Sequence, residues 1–284
     1  MTDTEVGVFV DDGYDSQNNN DDDFGPPEEM SSKAPLEEVP SKESLEEVSS
    51  KSPCSEQPPP KKKRKQPAAP QGNYGRYYGY RTEDPRLDYI PQDRVAGKKC
   101  LDIGCNSGLF TLKIERRFRP QSILGVDVDP SLVKAANKYL EGCTDWQTFN
   151  AVAFRTEDFA APTLAAPEVF ERRGKFDVIF CLSVTKWVQL TAGDEGLMRL
   201  FRRVHEMLCD GGMFVLEPQP WKSYRKYAKL SAEHKANFKK IKVRPADFKD
   251  VLLRDVGFGR MDVLHEPGAK PANGFDRPVY AFFK

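Results

Sequence analysis

The six cysteines of this 284-residue chain include no Cys-x-x-Cys pair, and its three histidines stand far apart. That spacing supports neither a disulfide framework nor a zinc site, so we expect no bound metal and a reducing compartment. Apolar runs are short: none approaches the roughly 18 residues of a membrane span, and the acidic N-terminus is unlike a signal peptide. No membrane partner is expected. Net charge is missing too, because 43 Lys and Arg offset 43 Asp and Glu. The balance is not local. Residues 1–70 carry 16 acidic and 8 basic side chains, which leaves 27 acidic and 35 basic on the remainder. An acidic leader on a basic body is the asymmetry expected of a polyanion-binding protein.

The leader has few aromatics and much Ser, Pro and Glu, so little apolar burial offsets the entropy of ordering it, and we expect disorder over 1–70. An imperfect repeat, 32–39 and 41–48, is too short for a solenoid unit and reads as a duplicated peptide or as low complexity. The leader closes on Lys61-Lys62-Lys63-Arg64-Lys65, with proline on either side. Prolines keep such a strip extended, as the groove of a nuclear import receptor requires, which predicts a nuclear protein. The alternatives are a solvated linker or a loose contact to RNA phosphates.

At 71 the composition changes. Gly72-Asn73-Tyr74-Gly75-Arg76-Tyr77-Tyr78-Gly79-Tyr80-Arg81 alternates rings, cations and glycines. Such rings stack on bases or an adenine, and the guanidinium groups of Arg76 and Arg81 suit RNA phosphates. The plainer reading is a tyrosine-rich segment packed over a sheet edge.

The remaining chain is organised around Lys99-Cys100-Leu101-Asp102-Ile103-Gly104-Cys105-Asn106-Ser107-Gly108. A short strand enters a glycine turn that opens onto an amphipathic helix, and a second strand, 122–127, ends in Asp127. An acid at that distance suits a ribose diol. A dinucleotide site places a glycine between the outer two so that the backbone can press on a pyrophosphate, but Asn106 fills that position. Asp102 would repel a diphosphate and attract an ammonium. The motif therefore favours S-adenosylmethionine (AdoMet) over NAD, the remaining alternative being a glycine-rich turn with no ligand.

A doubly wound α/β pattern follows. Asp129 caps a helix that buries Leu132, Val133, Ala136, Tyr139 and Leu140 at 3.6-residue spacing, with Pro130 at its first position. A third strand over about 148–155 leads to Asp158-Phe159, where an acid could accept the adenine amine and a ring could cover the base. The apolar run 176–184 reads as a central parallel strand delivering Lys186 and Trp187 to its carboxyl end, where open α/β sheets bind ligands. Lys186 could neutralise a phosphate; the plainer reading is an exposed cation with no role. A helix over 194–209 and a strand over 213–217 lead to Glu217-Pro218-Gln219-Pro220-Trp221, a rigid rim. Residues 222–244 then hold nine Lys and Arg, Lys222 and Arg225 among them, against one acid, with Tyr224, Tyr227 and Phe238 interleaved. With Trp221 these form the densest polyanion-binding candidate in the chain. Strands near 258–265 and 278–284 would complete a seven-stranded sheet whose last strand is antiparallel.

Taken together these motifs resemble the methylphosphate capping enzymes, the bicoid-interacting-protein type of RNA methyltransferase. The resemblance runs from about Gly72 to Phe283. It rests on the 72–81 and 101–108 segments, Leu182-Ser183-Val184-Thr185-Lys186-Trp187, Gly193-Asp194-Glu195-Gly196-Leu197, the Glu217–Trp221 rim and Gly274-Phe275-Asp276-Arg277-Pro278-Val279-Tyr280. It implies a Rossmann-like class I methyltransferase domain over 71–284 that moves a methyl group from AdoMet to a 5′-terminal phosphate oxygen of a small RNA. By position it implies Tyr74, Arg86, Gly104, Cys105, Asn106, Asp127, Val128, Asp158, Phe159 and Leu182 around the cofactor, beside Asp102 and Gly108 of the glycine turn. It sets Lys186 and Phe275 at the RNA end. The family pattern has Asn-Tyr where this chain has Asp158-Phe159, and both pairs can serve adenine. One branch of the family methylates the γ-phosphate of nuclear RNAs such as 7SK or spliceosomal small nuclear RNA; another methylates 5′-monophosphates of precursor micro-RNA or transfer RNA. The basic 75–81 segment and the import strip favour the first. A different class of function is an RNA-binding subunit, beside a La-related protein in a ribonucleoprotein, with little turnover.

Overall fold

The computed structural model describes residues 84–142, 150–165, 175–268 and 276–284. The acidic leader, its repeat, the cationic strip, Tyr74, Arg76, Arg81 and Phe275 lie outside the described residues.

Seven strands form one sheet: β1 (Lys99–Ile103), β2 (Ser122–Asp127), β3 (Val152–Thr156), β4 (Phe176–Leu182), β5 (Leu208–Glu217), β6 (Arg260–His265) and β7 (Val279–Phe283), in the order β3-β2-β1-β4-β5-β7-β6. The first five run parallel, and β7 is antiparallel to both β5 and β6. The chain winds outward from β1 to β3 and then returns to β4 on the other side of β1. That reversal opens a crevice at the carboxyl ends of β1 and β4, where ligands of such sheets bind.

Strand alternation sends side chains to both faces. Along β4, Val178, Phe180 and Leu182 join one core cluster while Ile179 and Cys181 join the other. The first cluster packs under α1 (Leu109–Phe118) and α2 (Pro130–Glu141) through Phe110, Ile114, Val133 and Ala136. The second packs under α3 (Thr185–Met207) through Leu197, Leu200, Phe201 and Val204. Burial on both faces is why β4 reads as an unbroken apolar run. Cys100, Cys105 and Cys181 are buried and free, as small packed side chains.

Four expectations need correction. Tyr139 is 52% exposed, because it lies off the stripe that Leu132, Val133, Ala136 and Leu140 bury. The helix expected from 194 begins at Thr185 and carries a break at Gly193, whose φ of 65° and ψ of −168° are not helical. A glycine adopts such a backbone at low cost, so one apolar face serves two helical pieces. Strand β5 starts at Leu208 rather than 213, pairing with Phe176 before the register shifts, and β3 starts at Val152 rather than 148. The basic 222–244 stretch folds as α4 (Trp221–Tyr227) and α5 (Ala232–Lys240), a helical hairpin set against the first half of α3.

Candidate active site at the carboxyl edge of the sheet

The turn after β1 is tied to β2 by its backbone. The N–H groups of Gly104 and Cys105 both donate to the Val126 carbonyl, at 2.7 and 3.0 Å. Gly104 has φ of +76°, and a Cβ there would overlap Val184 Cγ2. Gly108, at +77°, caps α1, and a Cβ there would come within 2.8 Å of Ala136 and 2.6 Å of Phe154. The close approach at this second glycine is to β3 and α2 rather than to its own strand. Asn106, held at φ of +53°, donates its backbone N–H to Asp127 Oδ2 at 2.8 Å, and Asp129 N–H donates to Oδ1 at 3.0 Å. The Asp127 carboxylate is thereby aimed, and its two oxygens retain acceptor capacity for a ligand. Burial raises its pKa, against the pull of those N–H groups. Val128 follows it, half-buried.

Asp102 is only 3% exposed, and its Oδ2 accepts from Thr111 Oγ1 at 2.6 Å. Burial pushes its pKa up to about 6, although the Thr111 hydroxyl and the Arg86 charge hold it down. Among the described residues no cation lies within 4.0 Å of it. A buried carboxylate in that state is stabilised by an arriving ammonium.

A connected polar network floors the crevice. Arg86, just ahead of the first strand and over the Phe110 ring, pairs in a fork with Asp84 at 2.8 and 2.7 Å and reaches Glu217 Oε2 at 3.5 Å. Glu217, at the end of β5, takes Arg277 Nη1 on its other oxygen at 3.2 Å and the Ser183 hydroxyl as well. Arg277 also donates to Ser183 Oγ at 2.8 Å. Ser183 follows Leu182, the buried last residue of β4, and holds φ of +64°, an uncommon conformation for a serine. Gln219 stabilises that turn: its Nε2 donates to the Ser183 carbonyl, and its Oε1 accepts the Lys186 N–H at 3.1 Å.

Lys186 therefore starts α3 at the mouth of the crevice, as expected, but it is not the exposed cation of the plainer reading: it is 4% exposed. Its Nζ lies 3.7 Å from the centre of the Tyr227 ring and 4.4 Å from that of Trp187. Burial, with the charges of Arg277 and Lys226 adding to it, lowers its pKa to about 7. The α4–α5 hairpin flanks it. Trp221 stacks on Phe238 with Arg244 over its ring, while Lys222 and Arg225 face solvent.

At the end of β3, Asp158 is exposed, and its Oδ1 accepts the Ala160 N–H at 2.8 Å. Phe159 is buried in the second core cluster, with its carbonyl accepting from Arg203 at 2.6 Å. Neighbouring Glu157 is buried and holds the loop through the Ala165 N–H at 2.9 Å. The structure thus brings Asp102, Gly104, Cys105, Asn106, Asp127, Leu182, Arg86 and Lys186 to one edge. Thr111, Ser183 and Arg277 complete it without individual roles assigned from sequence, and Tyr227, expected in the polyanion-binding stretch, lies against Lys186.

Residues 176–284 match the family described as Bicoid-interacting protein 3 (Bin3), and residues 101–214 match one described as Methyltransferase domain. The U6 snRNA methylphosphate capping enzyme Amus of Drosophila melanogaster is 37% identical over 75% of this chain and 74% of its own length. The chain belongs to the Bin3 family. A human relative, the 7SK snRNA methylphosphate capping enzyme, is 34% identical over 75% of this chain, which spans 39% of that longer protein. The rat RNA 5′-monophosphate methyltransferase is 30% identical over 66% of this chain and 74% of its own. Among solved structures, the bifunctional kinase-methyltransferase WbdD superposes with a TM-score of 0.51 at 19% identity, over 75% of this chain and 43% of that one. That likeness bears on the fold alone. The Bin3 chain is accordingly an enzyme of the class I methyltransferase fold, a seven-stranded sheet with one antiparallel strand.

Proposed function

We propose that this chain uses AdoMet to methylate the 5′-terminal γ-phosphate of a small nuclear RNA of the 7SK or spliceosomal type. The carrying observation is the placement of Val184, two residues ahead of Lys186, so near Gly104 that a Cβ there would overlap its Cγ2. It sets the carboxylate-lined turn and the buried lysine at one mouth, so a methyl donor and a phosphate can meet there.

The residues fit AdoMet. Asp127 is aimed for a ribose diol, and Asp102 is a buried carboxylate with no cation in contact among the described residues, suited to the ammonium of the methionine part. Asp158 would accept the adenine amine, and Gly104, Cys105, Asn106, Val128 and Leu182 would line the pocket. Bound AdoMet supplies an electrophilic methyl on a sulfonium sulfur. A phosphate oxygen is already anionic at neutral pH, so the chain needs no strong general base. Lys186 aligns that oxygen and offsets its charge, and its burial makes such a contact strong. Arg277 and Lys226 both act on Lys186. The positive potential these charges add at Lys186 suits a polyphosphate end better than a monophosphate.

The 1–70 leader we assign to nuclear import through the strip at 61–65, and 71–284 to catalysis and RNA binding, with Tyr74, Arg76, Arg81 and Phe275 contributing at the cofactor and RNA end. A La-related protein is a candidate partner in the resulting ribonucleoprotein.

The 5′-monophosphate reading draws on the relative of that name. Methyl transfer to one RNA bearing either a 5′-triphosphate or a 5′-monophosphate decides between them, the triphosphate being the expected substrate. Calorimetric binding of AdoMet without turnover on either RNA would leave a binding subunit instead.

A further inference from the structure

Lys186 is desolvated, yet among the described residues no carboxylate pairs with it. Buried ammonium groups normally take a carboxylate partner. Here the acid nearest in the network, Glu217, is committed to Arg277, Arg86 and Ser183. Two rings stand in its place. Tyr227 and Trp187 meet edge to face, with centres 4.8 Å apart, and Nζ sits in the corner they form.

We propose that Tyr227 is a positioning residue, which with Trp187 holds the Lys186 ammonium by its ring face and leaves it free of any anion until a phosphate arrives. This rests on Lys186 being the phosphate-facing group. A carboxylate in place of the rings would hold the ammonium as well, but an incoming phosphate would have to displace it. An aromatic face attracts the cation without occupying its strongest hydrogen-bonding direction.

The position of Tyr227 is fixed from below. One turn earlier on the same face of α4, fully buried Tyr224 donates its hydroxyl to Gln189 Oε1 at 2.8 Å, and Gln189 lies one turn beyond Lys186 on α3. Gln189 in turn donates to Asp194 Oδ1 and to the Val243 carbonyl, both at 2.8 Å. Two rungs, Gln189 with Tyr224 and Lys186 with Tyr227, therefore join α3 to α4. The charged and titratable groups facing Lys186 are Arg277 ahead of β7, Lys226 and Tyr227 on α4, and Glu217 on β5 through Arg277.

The test follows the Lys186 side chain directly, by NMR titration of protein carrying ¹³C-labelled lysine, with K186A identifying the signal. The pH profile of kcat/KM for methyl transfer is measured alongside. Y227F keeps the ring and should titrate as the wild type. Y227L, and Y227M as a second variant, keep apolar volume but lose the π face, so Lys186 should titrate about one pH unit lower, the size of one cation–π contact. The alkaline limb of the profile should move with it. Lys186 titrating in Y227L and Y227M as it does in the wild type, or higher, overturns the proposal. A titration that shifts while the alkaline limb stays in place upholds the ring contact and instead removes Lys186 from the phosphate step.

Discussion

The two sides of the crevice hold their charges by opposite means. On the β1–β2 side, the carboxylates are held by neutral donors: Thr111 for Asp102, and the backbone N–H groups of Asn106 and Asp129 for Asp127. On the β4–β5 side, the cation Lys186 is held by rings, while Arg277 and Arg86 neutralise Glu217. Among the described residues, no side chain of opposite charge contacts Asp102, Asp127 or Lys186 in either half. Under the proposed function, the difference in sign sorts the ligands, a cationic cofactor to one side and an anionic RNA end to the other. Leaving both sets open raises the ligand-free energy, as functional sites commonly do.

Removing the group that joins the halves should have the largest effect. Arg86 lies at the boundary, with Asp84 and Glu217 both dependent on it. R86A leaves two buried carboxylates without their common partner and should cost about 3–5 kcal/mol of stability, read from urea unfolding. A loss below about 1 kcal/mol would mean that the network is only a surface feature.

On the cationic side, K186A should lower kcat at saturating RNA by roughly tenfold to a thousandfold, the range of one lost charged contact. An unchanged rate would remove Lys186 from the mechanism. Stability should move the other way. The folded pKa of Lys186 lies near 7, below its ordinary 10.5, so charging it in the folded state is unfavourable. K186M should therefore stabilise the protein at pH 6, and the gain should shrink as pH rises from about 7 toward 10.5.

The acidic side should give the mirror image. Asp102 has its folded pKa raised from 3.8 to about 6, so its contribution is most favourable below pH 4 and is lost as pH rises through 6. D102N keeps an oxygen to accept from Thr111. It should raise stability by about 1–3 kcal/mol at pH 8, show no gain at pH 4, and weaken AdoMet binding. A gain equal at both pH values would show that charge is not its cause.

Much of this edge is legible in sequence because it is local. The glycine turn, Asp127 at the end of the next strand, and Lys186 after a continuous apolar run each follow from spacing and from the rule that ligands gather at carboxyl ends of strands. The sequence does not show contacts closed over long separations. Ser183 and Arg277 meet across 94 residues, and the Tyr227 ring meets the Lys186 ammonium from a separate helix. Nor does it show burial, which makes Lys186 a desolvated cation and sets aside the plainer reading of an exposed one. The helical break at Gly193 was also hidden, because the apolar pattern continues on both sides of it while the backbone does not.

The α4–α5 hairpin offers the smallest effect and the sharpest contrast with the crevice. Its solvent-facing Lys222 and Arg225 are hydrated, so each phosphate contact they make gains by counterion release rather than by desolvated pairing. R225A should weaken RNA binding by only about two- to fivefold, within the range of exposed ion pairs. It should also reduce the slope of log affinity against log salt by about 0.7–0.9. K186A should change that slope little for its effect on rate, because its charge acts where salt does not screen it. If R225A lowers kcat and leaves the salt slope unchanged, the hairpin belongs to the catalytic centre and the division between a steering surface and a reacting one fails.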